Sequence, residues 1–276
     1  MPGLDDVIFL RLRDLVYEHS GMYFDERKKY FFARRVEQRV EATGCIDARE
    51  YYQFVRYGDG GVEELQALAE SLTTNETYFF REYPQLQTFA DDILPEILDC
   101  KRRRGDRYLR VWSAGCSTGE EPYTLAIILR EMIEDLERWE ISLTATDISR
   151  EALRVARRAT YGERSLKDVP TVYRQKYILP NGEGWRVTNE ITRMVRFRHA
   201  NLMDRSLARE MEGQDFIFCR NVLIYFDDAS RRQVVDGFYD ALRPGGYIFL
   251  GHSESVGRIT SAFRLVRKGD SLVYMK

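Results

Sequence analysis

The feature that most constrains this chain is a repetition that begins at Tyr108: a short apolar run, a turn bearing glycine or aspartate, then a helical stretch. Tyr108–Ala114 (YLRVWSA), Ile141–Thr146 (ISLTAT), Asp215–Cys219 (DFIFC) and Tyr247–Gly251 (YIFLG) are strand-length segments. DFIFC is almost wholly apolar, as suits a central parallel strand covered on both faces. Pro122–Ile133, the segment behind Ser149 as its cap, and Arg231–Leu242 read as helices. Strands alternating with helices specify an α/β fold with a doubly wound, mainly parallel sheet. Such a sheet takes its ligand outside the carboxyl ends of the strands. Arg264–Val266, the turn Lys268-Gly269-Asp270 and Leu272–Tyr274 add an antiparallel hairpin at one edge. Tyr177–His199 breaks the rhythm. It reads as a small antiparallel insert turning at Pro180–Gly184, or as a plain connection that feeds the next strand.

The chain before the sheet has a different pattern. Leu4, Ile8, Leu12, Leu15 and Val16 recur at helical spacing before Gly21, a helix stop. A second helix starts behind Asp25 and runs to Gly44 with Phe32, Val36 and Val40 on one stripe. A third opens with Asp47 and Glu50 at capping-box spacing and stops at Gly58, and a fourth covers Val62–Leu72. The expected organisation is an all-helical domain over 1–72, then a linker and helix over 73–106, with a break at Pro95. The sheet domain follows over 107–276, with the β insert at about 177–199.

Composition excludes several function classes. Lys plus Arg number 42 against 44 Asp plus Glu, a net charge of -2, so no global basic field exists to coat nucleic acid. No apolar run approaches the roughly 18 residues of a membrane span, and the opening MPGLDD lacks a signal-peptide layout. A cytoplasmic protein is expected. Cys45, Cys100, Cys116 and Cys219 form no CxxC pair, and His19, His199 and His252 are scattered, so neither a disulfide framework nor a local metal site is expected.

The chemistry gathers in the turns after the strands. Gly115–Gly119 follows the first strand with spacing G-x-x-x-G, which is not the dinucleotide fingerprint. Glu120 and Glu121 come next. They repel a phosphate and suit a cation, although acids favour any helix N-terminus. Asp147 ends the second strand, where a carboxylate accepts from both ribose hydroxyls or serves the turn. Asn201–Asp204 and Arg220–Asp227 are further polar turns on the same rim. A nucleoside without phosphates that carries a cation fits S-adenosylmethionine better than NAD or ATP.

Four blocks, in this order and spacing, resemble the bacterial chemotaxis receptor methyltransferases, the CheR family. They are TTNETYFFRE at Thr73–Glu82, RVWSAGCSTGEEPYTLA at Arg110–Ala126, TATDIS at Thr144–Ser149 and FCRNVLIYFD at Phe218–Asp227, joined by LRPGGYIFLGHSES near the end. The resemblance implies a Rossmann-like, S-adenosylmethionine-dependent methyltransferase sheet with an N-terminal helical domain. It implies methyl transfer to glutamate side chains on a chemoreceptor's cytoplasmic helices, forming glutamyl methyl esters and S-adenosylhomocysteine, with no metal. By motif position, cofactor contacts fall on Asn75, Thr77, Arg81, Gly115, Glu121, Asp147 (ribose), Asn201 and Leu202 (adenine), and Arg220 and Asn221 (methionine end). Arg81 and Tyr225 match the residues nearest the transferred methyl group. Against this, Arg81 is also placed to pair with Glu82, and Tyr225 to fill an aromatic core with Phe226. The chemistry agrees with the absence of a catalytic triad, because a glutamate near pKa 4.3 is already an anion at neutral pH and needs no general base. The alternatives are a non-catalytic module that binds cofactor or receptor, and a related methyltransferase with another substrate.

The second helix carries Arg27, Lys28, Lys29, Arg34, Arg35 and Arg39 against the single acid Glu37 between positions 27 and 40. Such a face is usually only solvated. The resemblance makes Arg34, Arg35 and Arg39, placed opposite the Phe32, Val36 and Val40 stripe, candidates for docking the acidic receptor helix. In the family, the insert binds a pentapeptide tether at some receptors' C-termini. The short Pro180–Gly184 turn argues against a tether here. No nucleic-acid partner is expected, the membrane is approached only through the receptor, and the chain is expected to be a monomer.

Overall fold

The structure, a computed structural model, describes residues 4–182, 184–257, 259–269 and 271–276. The first three residues, Glu183 in the insert's turn and Asp270 in the closing hairpin's turn lie outside the described residues. The chain divides into two units, one running to Thr74 and including Ile224–Arg231, the other made of Asn75–Leu223 and Arg232–Lys276.

The first unit is built on helices α1 (Asp6–Ser20), α2 (Lys29–Thr43), α3 (Ala48–Tyr57) and α4 (Gly61–Ser71). Their ends follow from local chemistry. Asp47 Oδ1 accepts from Arg49 N at 2.9 Å and Glu50 N at 2.8 Å, and the Glu50 carboxylate reaches back to Ile46 N at 2.5 Å. Asp25 caps a short 3-10 turn, Glu26–Lys28, that leads into α2. Gly21 and Gly44 stop α1 and α2 with φ of 73° and 75°, a region in which a Cβ is strained. The apolar stripes meet around Phe32, whose ring lies edge-on to Phe9 and Phe24 at 5.4 and 5.3 Å. Truncating so buried a ring costs about 3–5 kcal/mol. Ile224–Arg231 joins this unit: Tyr23 N donates to Tyr225 O at 2.9 Å and Tyr17 Oη to Asp227 Oδ2 at 3.0 Å.

The second unit opens with α5 (Tyr83–Thr88) and α6 (Leu94–Arg103), joined by one π turn over Phe89–Ile93. Pro95 lies in the first turn of α6. Proline has no N–H for an interior helix bond, and the wider turn ahead of it lets the helical path continue. That turn points Phe89 edge-on at Phe216, Phe218 and Phe249, with centroids 5.1, 5.1 and 5.6 Å away.

The sheet contains β1 (Tyr108–Ala114), β2 (Glu140–Asp147), β6 (Val195–His199), β7 (Gln214–Cys219), β8 (Leu242–Leu250), β9 (Arg264–Lys268) and β10 (Ser271–Met275). Their order is β6-β2-β1-β7-β8-β10-β9. The pairs from β6 to β8 are parallel, and β10 runs antiparallel to both β8 and β9. All six residues of β7 are buried, and Phe218 stacks on Phe249 at 4.4 Å, which accounts for the uninterrupted apolar sequence. Chain order reverses between β1 and β7, so their carboxyl ends frame the switch point. α7 (Glu120–Met132) follows β1, α8 (Arg150–Arg158) follows β2 behind its Ser149 cap, and α12 (Asp228–Ala241) precedes β8.

The small sheet has the order β3-β5-β4, from Thr160–Tyr161 (β3), Ile178–Asn181 (β4) and Gly184–Val187 (β5). Val195–Arg198, expected in this insert, pairs instead with β2 as part of β6 at the edge of the main sheet. The third strand of the insert is β3. The alternation of Val195 and Phe197 with arginines marks a half-covered edge strand, but it does not say to which sheet the edge belongs. α9 (Thr171–Tyr177), α10 (Asn189–Thr192) and α11 (Arg205–Glu210) complete the chain. Among the described residues no helix is long and apolar enough to cross a membrane.

Candidate active site

The carboxyl ends of β1 and β2 are sewn together by the glycine turn. Gly115 N and Cys116 N both donate to Thr146 O, at 2.8 and 2.9 Å. Gly115, Ser117 and Gly119 hold φ of 82°, 49° and 97°, so the turn coils through the left-handed region three times. At Gly115 an added Cβ would meet Val222 Cγ2 at 2.3 Å, so glycine is required for space as well as for conformation. Asp147, only 8% exposed, accepts from Ser117 N at 2.7 Å and Ser149 N at 2.8 Å. Those amides aim its carboxylate. Ala200 N donates to Asp147 O at 3.0 Å, which brings the Asn201–Asp204 turn, and with it Asn201 and Leu202, beside the aspartate. Asn201 Oδ1 accepts from Met203 N at 3.0 Å within that turn.

Across the switch point stands a charge cluster. Arg220, with 3% of its side chain exposed, reaches Glu121 Oε2 at 3.2 Å and Glu82 Oε2 at 3.3 Å, and donates to Arg81 O at 2.5 Å. Glu121 also accepts from Ser113 Oγ on β1 at 2.7 Å. Burial pushes the Glu121 carboxyl up, opposed by the Arg220 charge and the Ser113 hydroxyl. Glu120 is turned elsewhere, to Thr118 Oγ1 at 2.6 Å and Ser165 Oγ at 3.0 Å. Of the paired glutamates, Glu121 is the one that faces the strand ends. Asn221 sits at φ 60°, its N–H donating to Glu254 Oε2 at 2.8 Å, while its buried Oδ1 has no partner among the described residues.

The linker block lies alongside. Ser117 Oγ donates to Asn75 Oδ1 at 3.2 Å, and Asn75, Thr77 and Arg81 line a cleft of about 400 Å³ with Thr118 and Glu120. Arg81 stands between two left-handed residues, Phe80 at φ 58° and Glu82 at φ 57°. Non-glycine residues held there store strain, a recurrent property of functional segments. The expected alternative, an Arg81–Glu82 pair, does not form: Glu82 bonds Arg220, and Arg81 Nη1 donates to Glu76 O at 3.2 Å with its guanidinium 5.7 Å from the Tyr78 ring centroid.

Tyr225 belongs to the first unit. Its ring packs on the helical core, and its hydroxyl accepts from Thr74 N at 3.0 Å and donates to Thr74 O at 3.2 Å. The basic helix needs a correction. At 100° per residue, Arg35 and Arg39 flank the Phe32, Val36 and Val40 stripe, whereas Arg34 lies opposite it. Arg39 is already used: its fork is bidentate to Glu64, at 2.8 and 2.6 Å, and Tyr51 Oη donates to the same carboxylate at 2.6 Å. Arg35 bonds Gln38 at 3.1 Å and lies 5.2 Å from the Phe31 ring centroid, while Arg34 is exposed.

Residues 75–271 match the family described as CheR methyltransferase, SAM binding domain, and residues 8–73 match CheR methyltransferase, all-alpha domain. This chain belongs to the CheR methyltransferase family. It is 41% identical to chemotaxis protein methyltransferase 2 of Vibrio cholerae over 99% of this chain and 94% of that one. It is 34% identical to the chemotaxis protein methyltransferase of Borreliella burgdorferi over 89% and 87% of the two chains. The same identity relates it to the Escherichia coli chemotaxis protein methyltransferase, over 95% and 89%.

The residues of this CheR chain fit S-adenosylmethionine. The aimed Asp147 suits ribose hydroxyls, Asn221 Oδ1, unpartnered among the described residues, is an acceptor for an ammonium, and the two carboxylates Glu82 and Glu121 on the guanidinium of Arg220 leave an excess of negative charge that suits a sulfonium. Among the described residues no group of three or more metal-ligating side chains comes together. Sequence reasoning missed Glu254, whose Oε2 also accepts from Gly251 N at 2.7 Å and so clamps the ends of β7 and β8. It also missed Ser113 and Glu82 as partners of the cluster. The one local signal was that an acid and a hydroxyl lie inside the resembling blocks.

Proposed function

We propose that this methyltransferase esterifies glutamate side chains on the cytoplasmic helices of a chemoreceptor, setting sensory adaptation. The observation that carries the reading is Arg81. Among the described residues it forms no ion pair, it is held in a strained segment, and it borders both the charge cluster and the open cleft. Asp147 receives the ribose, Asn201 and Leu202 the adenine, and Glu121, Arg220 and Asn221 the amino-acid end, with Asn75, Thr77 and Gly115 closing around them. When bound, the cofactor supplies a methyl group on a sulfonium whose leaving group is a neutral thioether. Arg81 pairs with the incoming carboxylate, fixes its approach and keeps it ionised, so that no base is needed. Tyr225 is assigned to the same reaction by its motif position. Arg34 and Arg35 dock the receptor helix. The enzyme works as a cytoplasmic monomer, meets the membrane only through its receptor and does without a C-terminal tether.

The test mixes purified protein, S-adenosylmethionine carrying tritium in the methyl group, and receptor-bearing membranes. Base-labile label on the receptor is expected. Tight S-adenosylhomocysteine binding with no label on any cognate receptor overturns the reading in favour of a non-catalytic module. Arg34→Glu with Arg35→Glu should lower receptor labelling and leave S-adenosylhomocysteine affinity unchanged.

A further inference from the structure

The cleft beside the linker carries a second charged feature. Its lining includes Tyr78, Arg81, Glu120, Tyr161 and Lys167. Two cations share the Tyr78 ring, with Lys167 Nζ 3.7 Å and Arg81 Cζ 5.7 Å from its centroid. Backbone bonding fixes the arrangement, because Phe79 N donates to Ser165 O at 2.9 Å and so pins the linker to the short helical turn that precedes Lys167. Among the described residues neither cation forms an ion pair, whereas Arg164 at the same cleft is 3.0 Å from Glu76. Of the two acids that line the cleft, Glu76 is the one paired with Arg164, and Glu120 is buried and spends its carboxyl on two hydroxyls. Two like charges held on one ring are offset only in part by its quadrupole, and their natural complement is an anionic ligand.

We propose that Lys167, seated on Tyr78, is a specificity-determining residue that receives a second carboxylate of the acidic receptor segment while Arg81 takes the accepting glutamate. This rests on the glutamate reading above and extends it to the sequence around the methylated site. It makes the enzyme select glutamates that have an acidic neighbour.

Steady-state methylation of receptor membranes tests it. Lys167→Glu should raise KM for the receptor by about tenfold, because it sets a like charge against the substrate, with kcat and S-adenosylhomocysteine affinity near wild type. Added salt should shrink that difference. Lys167→Arg keeps the charge and the ring contact and should behave as wild type, and Tyr78→Leu should raise KM in the same sense. Unchanged KM in Lys167→Glu overturns the proposal. So does a parallel fall in cofactor affinity, which would assign Lys167 to the cofactor. Should Tyr78→Leu fail to fold, the two Lys167 variants decide alone, since that side chain is exposed. If wild-type protein labels no receptor, the glutamate reading itself fails. If it labels receptors and Lys167→Glu labels them with the same KM, only the present inference fails.

Discussion

The Arg39–Glu64 pair offers a sharp test of how the helical unit is built. Glu64 has 8% of its side chain exposed and Arg39 has 27%, and they meet through two bonds of 2.8 and 2.6 Å between α2 and α4. Removing one partner of a buried pair strands the other charge, at a cost of about 3–5 kcal/mol. Two features reduce that figure: the guanidinium is partly solvated, and the Tyr51 hydroxyl continues to donate to Glu64 at 2.6 Å. Arg39→Met is therefore expected to lose about 2–3 kcal/mol of unfolding free energy, measured by urea denaturation followed by circular dichroism. Adding Glu64→Leu should recover most of the loss, since an apolar pair of similar volume replaces a buried ion pair at little cost. A double-mutant cycle should then return a coupling of about 2 kcal/mol. The recovered double variant should also methylate receptor membranes at near the wild-type rate, because Arg39 holds α4 rather than the substrate. A stable Arg39→Met protein that has lost receptor methylation would refute this and return Arg39 to the docking face.

Three further outcomes follow from the site. Glu121→Gln removes one negative charge beside Arg220, so calorimetry should show S-adenosylmethionine binding weakened by about tenfold, or 1.4 kcal/mol, and the neutral thioether product weakened less; equal losses would show that Glu121 does not read the sulfonium. Gly115→Ala must hold φ 82° and displace Val222, so it should destabilise by at least about 1–2 kcal/mol, and Val222→Ala in the same chain should relieve the steric part while leaving the conformational part. Burial raises the Glu120 carboxyl above its ordinary value of 4.5, so its contribution to stability is present at low pH and lost as pH rises through the raised value. Glu120→Gln should accordingly raise the unfolding temperature at about pH 7.5 and give no gain near pH 4; the same gain at both would contradict the burial argument.

Much of the fold was legible because it is governed by nearest neighbours along the chain. Asp25, Asp47 and Ser149 cap helices where a short side chain meets free amides, and Gly21 and Gly44 stop them where a left-handed residue is needed. β7 announced its central place because a strand covered on both faces admits little but apolar residues. The features that escaped depend on distant partners. β3 has two residues, Thr160 and Tyr161, and exists because Trp185 and Arg186 lie opposite. Arg39 looked like one more cation on a basic face until Glu64, from another helix, filled its fork.

The same division runs through the site. The sequence by itself determined the kinds of groups, namely a glycine turn, acids after the strands and a cation in the linker, because each is a local requirement of backbone conformation or charge. The tertiary structure alone decided which acid meets which cation. Arg220 took Glu82 and Glu121 at 3.3 and 3.2 Å and left Arg81 on the ring of Tyr78. Ion pairing depends on distance and on how water is excluded, and neither quantity exists until the chain has folded.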